Sequence, residues 1–169
     1  MKVLKTTLPA TSLLRKDLLN YHYIDSYKSE FKPTDNQFTA TDVGRAFFSS
    51  APKWIEKLFD LRNKIVAVFG LKTSTKNQEI NDCKFNIGER LGLFQVFDKN
   101  ENELILGEDD KHLNFRISLF IDHQSKEIII TTTVIYNNWF GKLYFLPVKP
   151  FHRFIVPSML IAIIKELGK

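Results

Sequence analysis

A chain of 169 residues, 44% hydrophobic and 13% aromatic, suits one globular domain with a single sizeable core and is too apolar for disorder. Its 24 basic and 19 acidic residues leave a formal charge of +5, yet no basic run of five exists. The excess therefore reads as solubility, with weak attraction to anionic lipid or phosphate as the lesser alternative, and no nucleic-acid partner is expected.

The amino terminus lacks the apolar core of a secretory signal, and the longest apolar run, Phe154 to Ile164, falls well short of the roughly 20 residues that span a bilayer. No transmembrane segment and a cytoplasmic location are expected. A single cysteine, Cys83, excludes an internal disulfide and a multi-cysteine metal site.

Tyr21 to Phe31 alternates in part, with Tyr21, Tyr23, Asp25 and Tyr27 against His22, Ile24 and Ser26, and reads as the first strand, closed by a turn at Lys32-Pro33-Thr34-Asp35-Asn36. Thr39 followed by Asp42 resembles a capping box before a short helix carrying Val43, Phe47 and Phe48. Pro52 opens a second helix in which Trp54, Leu58, Leu61, Ile65 and Val68 recur at helical spacing until Gly70. Lys72 to Asp82 is polar and aperiodic, a linker.

Strands follow at Cys83–Ile87, Leu91–Phe97, Glu103–Glu108, His112–Ile121 and Glu127–Tyr136, separated by short polar turns that imply an antiparallel meander. The alternation is strictest at Leu113, Phe115, Ile117, Leu119 and Ile121, which should face the core, opposite His112, Asn114, Arg116 and Ser118. Both faces of Glu127–Tyr136 are less polar than a solvated face requires. Asn138 caps a helical turn, Pro147 and Pro150 punctuate the chain, and from about Pro150 a long helix, bent at Pro157, is apolar around most of its circumference.

With no repeat or compositional break, 1–169 is one domain. Its class is α+β: a curved antiparallel sheet with two short helices after the first strand and the C-terminal helix across one face, a helix-grip arrangement. Such a fold leaves room between sheet and helix for a small hydrophobic or amphipathic ligand, with Phe115, Ile117, Thr132, Val134 and Phe151 as candidate lining. The aromatic set Trp54, Phe115, Trp139, Tyr144, Phe145 and Phe151 serves either the core or a ligand cage.

Glu108, Asp109, Asp110 and His112 crowd the start of the strictly alternating strand, residue types that serve either a divalent ion or acid–base chemistry. Asp110 and His112 are the weak candidates for an acid–base pair, against the alternative that Asp109 and Asp110 merely shape a turn. His152, at the start of the last helix, either hydrogen-bonds a carboxylate such as Asp109 or Asp110 or, with Arg153, meets an anion. No nucleophilic triad, phosphate loop or helical His pair is present, so neither cofactor nor metal is expected and whether the protein is an enzyme stays open. An interaction module, including a homodimer, is the third possibility and would need an exposed apolar patch.

Five strings, Ala51-Pro-Lys-Trp-Ile-Glu-Lys-Leu-Phe-Asp-Leu-Arg-Asn63, Gly70-Leu71, Gly107-Glu-Asp-Asp-Lys-His-Leu-Asn-Phe-Arg116, Gly141-Lys-Leu-Tyr-Phe145 and Pro150-Phe-His-Arg153, resemble domain-of-unknown-function family 2867 over roughly Tyr21 to Leu167. That resemblance implies membership of the START-like (SRPBCC) superfamily of helix-grip folds, which mostly bind hydrophobic ligands and sometimes act as cyclases. It implies no particular activity.

Overall fold

The computed structural model describes residues 1–32, 38–58, 60 and 83–169. The described elements are β1 (Leu4–Thr6), a 3-10 segment (Leu13–Asn20), β2 (Tyr23–Glu30), α1 (Ala40–Ser49) and α2 (helical over 53–58). After them come β3 (Arg90–Leu91), β4 (Phe94–Lys99), β5 (Glu103–Asp109), β6 (Leu113–Asp122), β7 (Glu127–Tyr136) and α3 (Trp139–Leu167). The turn expected at 33–36, the later part of the second helix to Gly70 and the linker at 72–82 lie outside the described residues.

Seven antiparallel strands form one sheet in the order β1-β2-β7-β6-β5-β4-β3. Its centre is the β6–β7 hairpin, in register from Leu113↔Tyr136 to Asp122↔Glu127. Register then fixes two faces. The inner face carries Leu119, Ile121, Ile128, Ile130, Leu104 and Leu106, fully or nearly fully buried beneath α1 and the C-terminal half of α3. Thr39 and Asp42 close the reciprocal cap expected before α1, whose buried Val43, Gly44, Ala46 and Phe47 turn toward this core.

The outer face is covered as well. The N-terminal segment folds back over β5, where Leu8 and Leu14 pack with Ile105, flanked by Tyr21 and Phe97. The low polarity on both sides of β7 has its cause here, since its outward Thr131 and Thr133 are buried. Nothing in the sequence pattern signalled β1 or the 3-10 segment, and the strand beginning at Tyr21 is the second in the chain.

Three further expectations are corrected. Cys83–Ile87 is not a strand: Phe85 is fully buried but takes a left-handed φ of 52°, which no strand residue adopts. Leu91–Phe97 is not one strand but the hairpin β3–β4, turned at Gly92 with φ 61°. The last helix begins at Trp139, not near Pro150, and runs 29 residues with Pro147, Pro150 and Pro157 inside it. Pro147 and Pro150 cannot donate to the carbonyls of Leu143 and Leu146, and both of those leucines lie on the exposed side of the helix.

At that length α3 is apolar enough to cross a bilayer by length and composition alone. Val156, Met159, Leu160, Ile163 and Ile164 nevertheless sit in the main core with α1 and the sheet. That half is a core helix.

The β6–β7 turn carries a pH prediction. Asp122 accepts backbone N–H bonds from Gln124 (2.9 Å) and Ser125 (3.1 Å). The bond from Ser125 above all holds the Asp122 carboxyl below the usual carboxylate range. A depressed native value means the stabilisation is complete above the unfolded value of about 4 and is lost as pH falls through the native one. Asp122→Asn should therefore flatten the acid limb of the stability–pH curve, read by urea denaturation between about pH 5 and 2. An unchanged limb would rule out this turn as a source of the acid sensitivity.

Candidate functional site

The polar inner surface of the sheet lies where the middle of α3 passes over β2. Asp25 sits opposite Thr132 in β7, and Thr132 sits opposite Ile117 in β6, so the three form one row across the sheet. The adjacent row runs Tyr23, Val134, Phe115 and Glu108.

Asp25 is buried, and its Oδ2 accepts the Tyr23 hydroxyl at 2.6 Å and faces His152 Nδ1 of α3 at 3.3 Å. Burial, followed by the hydrogen bond to Asp25, raises the Tyr23 phenol far above its ordinary value, so it remains a donor throughout the physiological range. The Tyr23 ring lies edge-on to Phe145 at 4.9 Å and perpendicular to His152 at 6.2 Å.

Two buried polar atoms here have no hydrogen-bond partner among the described residues: Asp25 Oδ1 and Thr132 Oγ1. Phe115 and Ile117, inward-facing residues in the middle of the sheet, are only half-buried, unlike Leu119 and Ile121 further along the same strand. Polar groups that lack partners, next to apolar groups that lack full cover, give this surface the chemistry of an amphipathic cleft.

Of the five lining candidates, Phe115, Ile117, Thr132 and Val134 fall in these two rows. Val134 is packed with Leu113 and Phe145 in a satellite cluster. Phe151 is exposed on the outer side of α3, away from the sheet. Trp54 and Trp139 are exposed too, so the aromatic set is neither one core nor one cage. Asp25 and Tyr23 were visible in the sequence only as polar steps in an alternating strand. The carboxylate that meets His152 is Asp25, neither Asp109 nor Asp110.

The acidic string at the start of β6 is divided among separate partners. Glu108 turns inward and pairs with Arg90. Asp109 turns outward to Arg116 at 2.8 Å, whose guanidinium stacks 3.4 Å over the Phe97 ring. Asp110 Oδ1 accepts the Lys111 N–H at 2.6 Å. His112 Nδ1 lies 3.2 Å from Asn138 Nδ2, and its ring packs against Phe140 at 4.6 Å.

The backbone of this turn seats the start of α3. Asn137 N donates to the His112 carbonyl, Asn137 Nδ2 to the Asp110 carbonyl and Asn138 Nδ2 to the Lys111 carbonyl. Among the described residues no group of three His, Cys, Asp or Glu side chains is placed to hold a metal ion.

Fold and site together define an α+β domain, a seven-stranded antiparallel sheet with a long C-terminal helix over a partly polar inner face. The profile of the family described as "Protein of unknown function (DUF2867)" matches residues 18–159, and the chain belongs to that family. No curated protein and no solved structure matches the chain.

Proposed function

We propose that this protein binds a small amphipathic molecule between the sheet and α3, its hydrogen-bond-donating head on Asp25 and Thr132 and its apolar body on Phe115 and Ile117. The observation that carries the reading is the pair of buried, unpartnered atoms, Asp25 Oδ1 and Thr132 Oγ1, in one cross-strand row beside two half-covered apolar side chains. Each such atom costs about 1–3 kcal/mol when left unmet, a cost that a ligand's polar head would offset. A long helix laid over an antiparallel sheet supports the helix-grip, START-like (SRPBCC) reading of the fold, and the charge and core composition support a cytoplasmic protein. The partners of Asp110 and His112 favour a structural role for that turn over acid–base catalysis.

Native mass spectrometry of freshly purified protein tests binding directly and is expected to show a retained small molecule. Thr132→Val, equal in shape but without the hydroxyl, should stabilise the ligand-free protein by about 1 kcal/mol and weaken ligand retention about tenfold. A valine variant that is no more stable and retains the same bound mass would sink the proposal.

A further inference from the structure

The outer side of α3 bears a second, unrelated surface. Trp139 is 76% exposed, Leu143 54%, Leu146 60%, Phe151 54% and Phe154 69%, with the exposed Pro147 and Pro150 between them. Successive gaps of four, three, five and three residues, at about 100° per residue, keep them within one broad stripe, with Pro147 and Pro150 inside it, opposite the buried Phe145, Val156 and Met159. Single exposed apolar residues need no explanation, but five large ones along one helix do.

Charge indicates what fits the stripe. Lys142, Lys149 and Arg153, all exposed, recur at intervals of seven and four along one edge of it. Among the described residues none of the three makes an ion pair, and from Trp139 to Lys165 the helix contains no Asp or Glu. A two-fold pairing of stripes between two copies would bring these cations toward one another. An anionic lipid headgroup layer accommodates both features at once, the basic edge at the phosphates and the aromatic stripe at the acyl boundary.

We propose that α3 docks by this outer face, lying in the plane of the surface, on anionic membranes. The apolar stripe lies on the side of the helix opposite the ligand site, while Lys149 at its basic edge also stands 5.4 Å over the Tyr23 ring, so vesicle binding is read separately from ligand retention.

The test is flotation with phosphatidylcholine vesicles containing about a third phosphatidylserine, compared with phosphatidylcholine alone, at roughly 50 mM and 0.5 M salt. A Trp54→Phe background leaves Trp139 as the sole tryptophan, and its emission is expected to shift to the blue on binding. Binding should require phosphatidylserine and fall at high salt. Each basic residue near the surface contributes about fivefold, so the Lys142→Ala, Lys149→Ala, Arg153→Ala triple variant should bind roughly a hundredfold more weakly. Phe151→Ser with Phe154→Ser should lose at least about tenfold while keeping the wild-type melting temperature, since both rings are outside the core. Failure of the wild type to bind anionic vesicles, or equal binding to neutral ones, would overturn the proposal. So would a dimer in sedimentation that the double serine variant dissolves, because the occupant would then be a second copy. If a variant does not fold, the lipid and salt series on the wild type decides alone.

Discussion

Glu103→Ala is expected to cost about 3–5 kcal/mol, read as a drop in the urea midpoint at constant slope. Glu103 has no solvent exposure, yet its carboxyl lies outside the apolar core, on the outer face of β5 under the N-terminal segment. Its Oε1 accepts the hydroxyls of Ser12 (2.6 Å) and Ser118, and its Oε2 accepts the backbone N–H of Leu13 at 2.7 Å. These bonds tie residues 12–13 to β5 and β6 across about ninety positions of sequence. Alanine leaves the buried hydroxyls of Ser12 and Ser118 and the part-buried N–H of Leu13 without this acceptor, together with a void where the carboxyl was, and each buried orphan alone costs about 1–3 kcal/mol.

Glu103→Gln is the control. Its amide oxygen can take the Leu13 N–H, and the two serine hydroxyls can rotate to accept from the amide nitrogen, so the loss should shrink to about 1–2 kcal/mol. The alanine variant should also lose hydrogen-exchange protection at Leu13 and Leu14 before the central strands open. If alanine and glutamine cost the same, charge burial rather than the fate of the donors governs this site.

The contrast between β6–β7 and the N-terminal segment explains what the sequence made legible. A face turned to the main core imposes a period of two on Leu113 to Ile121, and burial on both faces makes Glu127 to Tyr136 a continuous run of β-branched residues, so both strands announce themselves. Thr39–Asp42 and Asn138 were legible because capping is local chemistry. The Leu4–Thr6 strand has too few residues for any period, and the segment after it is held by a single glutamate whose importance depends on tertiary position. Phe85, buried in a left-handed conformation, has no periodic signature at all. Pro147 and Pro150 read locally as breaks, but the exposed side of a helix already supported by its packing tolerates them.

The candidate site was half legible for the same reason. Phe115, Ile117 and Thr132 stand out by alternation within their own strands. Asp25 acquires its meaning only when β2 pairs with β7 and sets it beside Thr132, a contact between residues more than a hundred positions apart. His152 reaches it from a helix whose start the prolines had hidden. The Asp110 and His112 cluster looked like chemistry because four ionisable groups stand close in sequence. Strand alternation sends Glu108 and Asp109 to opposite faces, and the turn commits the other two to the seat of α3.

That seat yields a prediction in which two effects have opposite signs. Gly141 lies in the first turn of α3, its N–H capped by Asn138 Oδ1 at 3.0 Å. Helix propensity alone says that Gly141→Ala should stabilise the protein by about 1 kcal/mol. The neighbouring backbone says the reverse. A β-carbon on Gly141 would stand 1.9 Å from the carbonyl oxygen of His112 and 2.7 Å from its carbonyl carbon. Both atoms belong to the main chain of β6's entrance, which is fixed by the bond from Asn137 N and cannot swing aside as a side chain would. Making room means lifting α3 off the turn by more than 1 Å, which strains the Asn137 and Asn138 bonds to the 110–112 carbonyls and loosens Phe145 from Leu113 and Val134. Overpacking against fixed atoms, together with those losses, outweighs the propensity gain, and the net expected change is a destabilisation of about 2–4 kcal/mol. His112→Ala, which keeps the carbonyl and removes only the ring packed on Phe140, should cost less. Thermal melts of the two variants decide between close approach and propensity: a Gly141→Ala protein as stable as the wild type would mean that α3 does not sit on the His112 carbonyl.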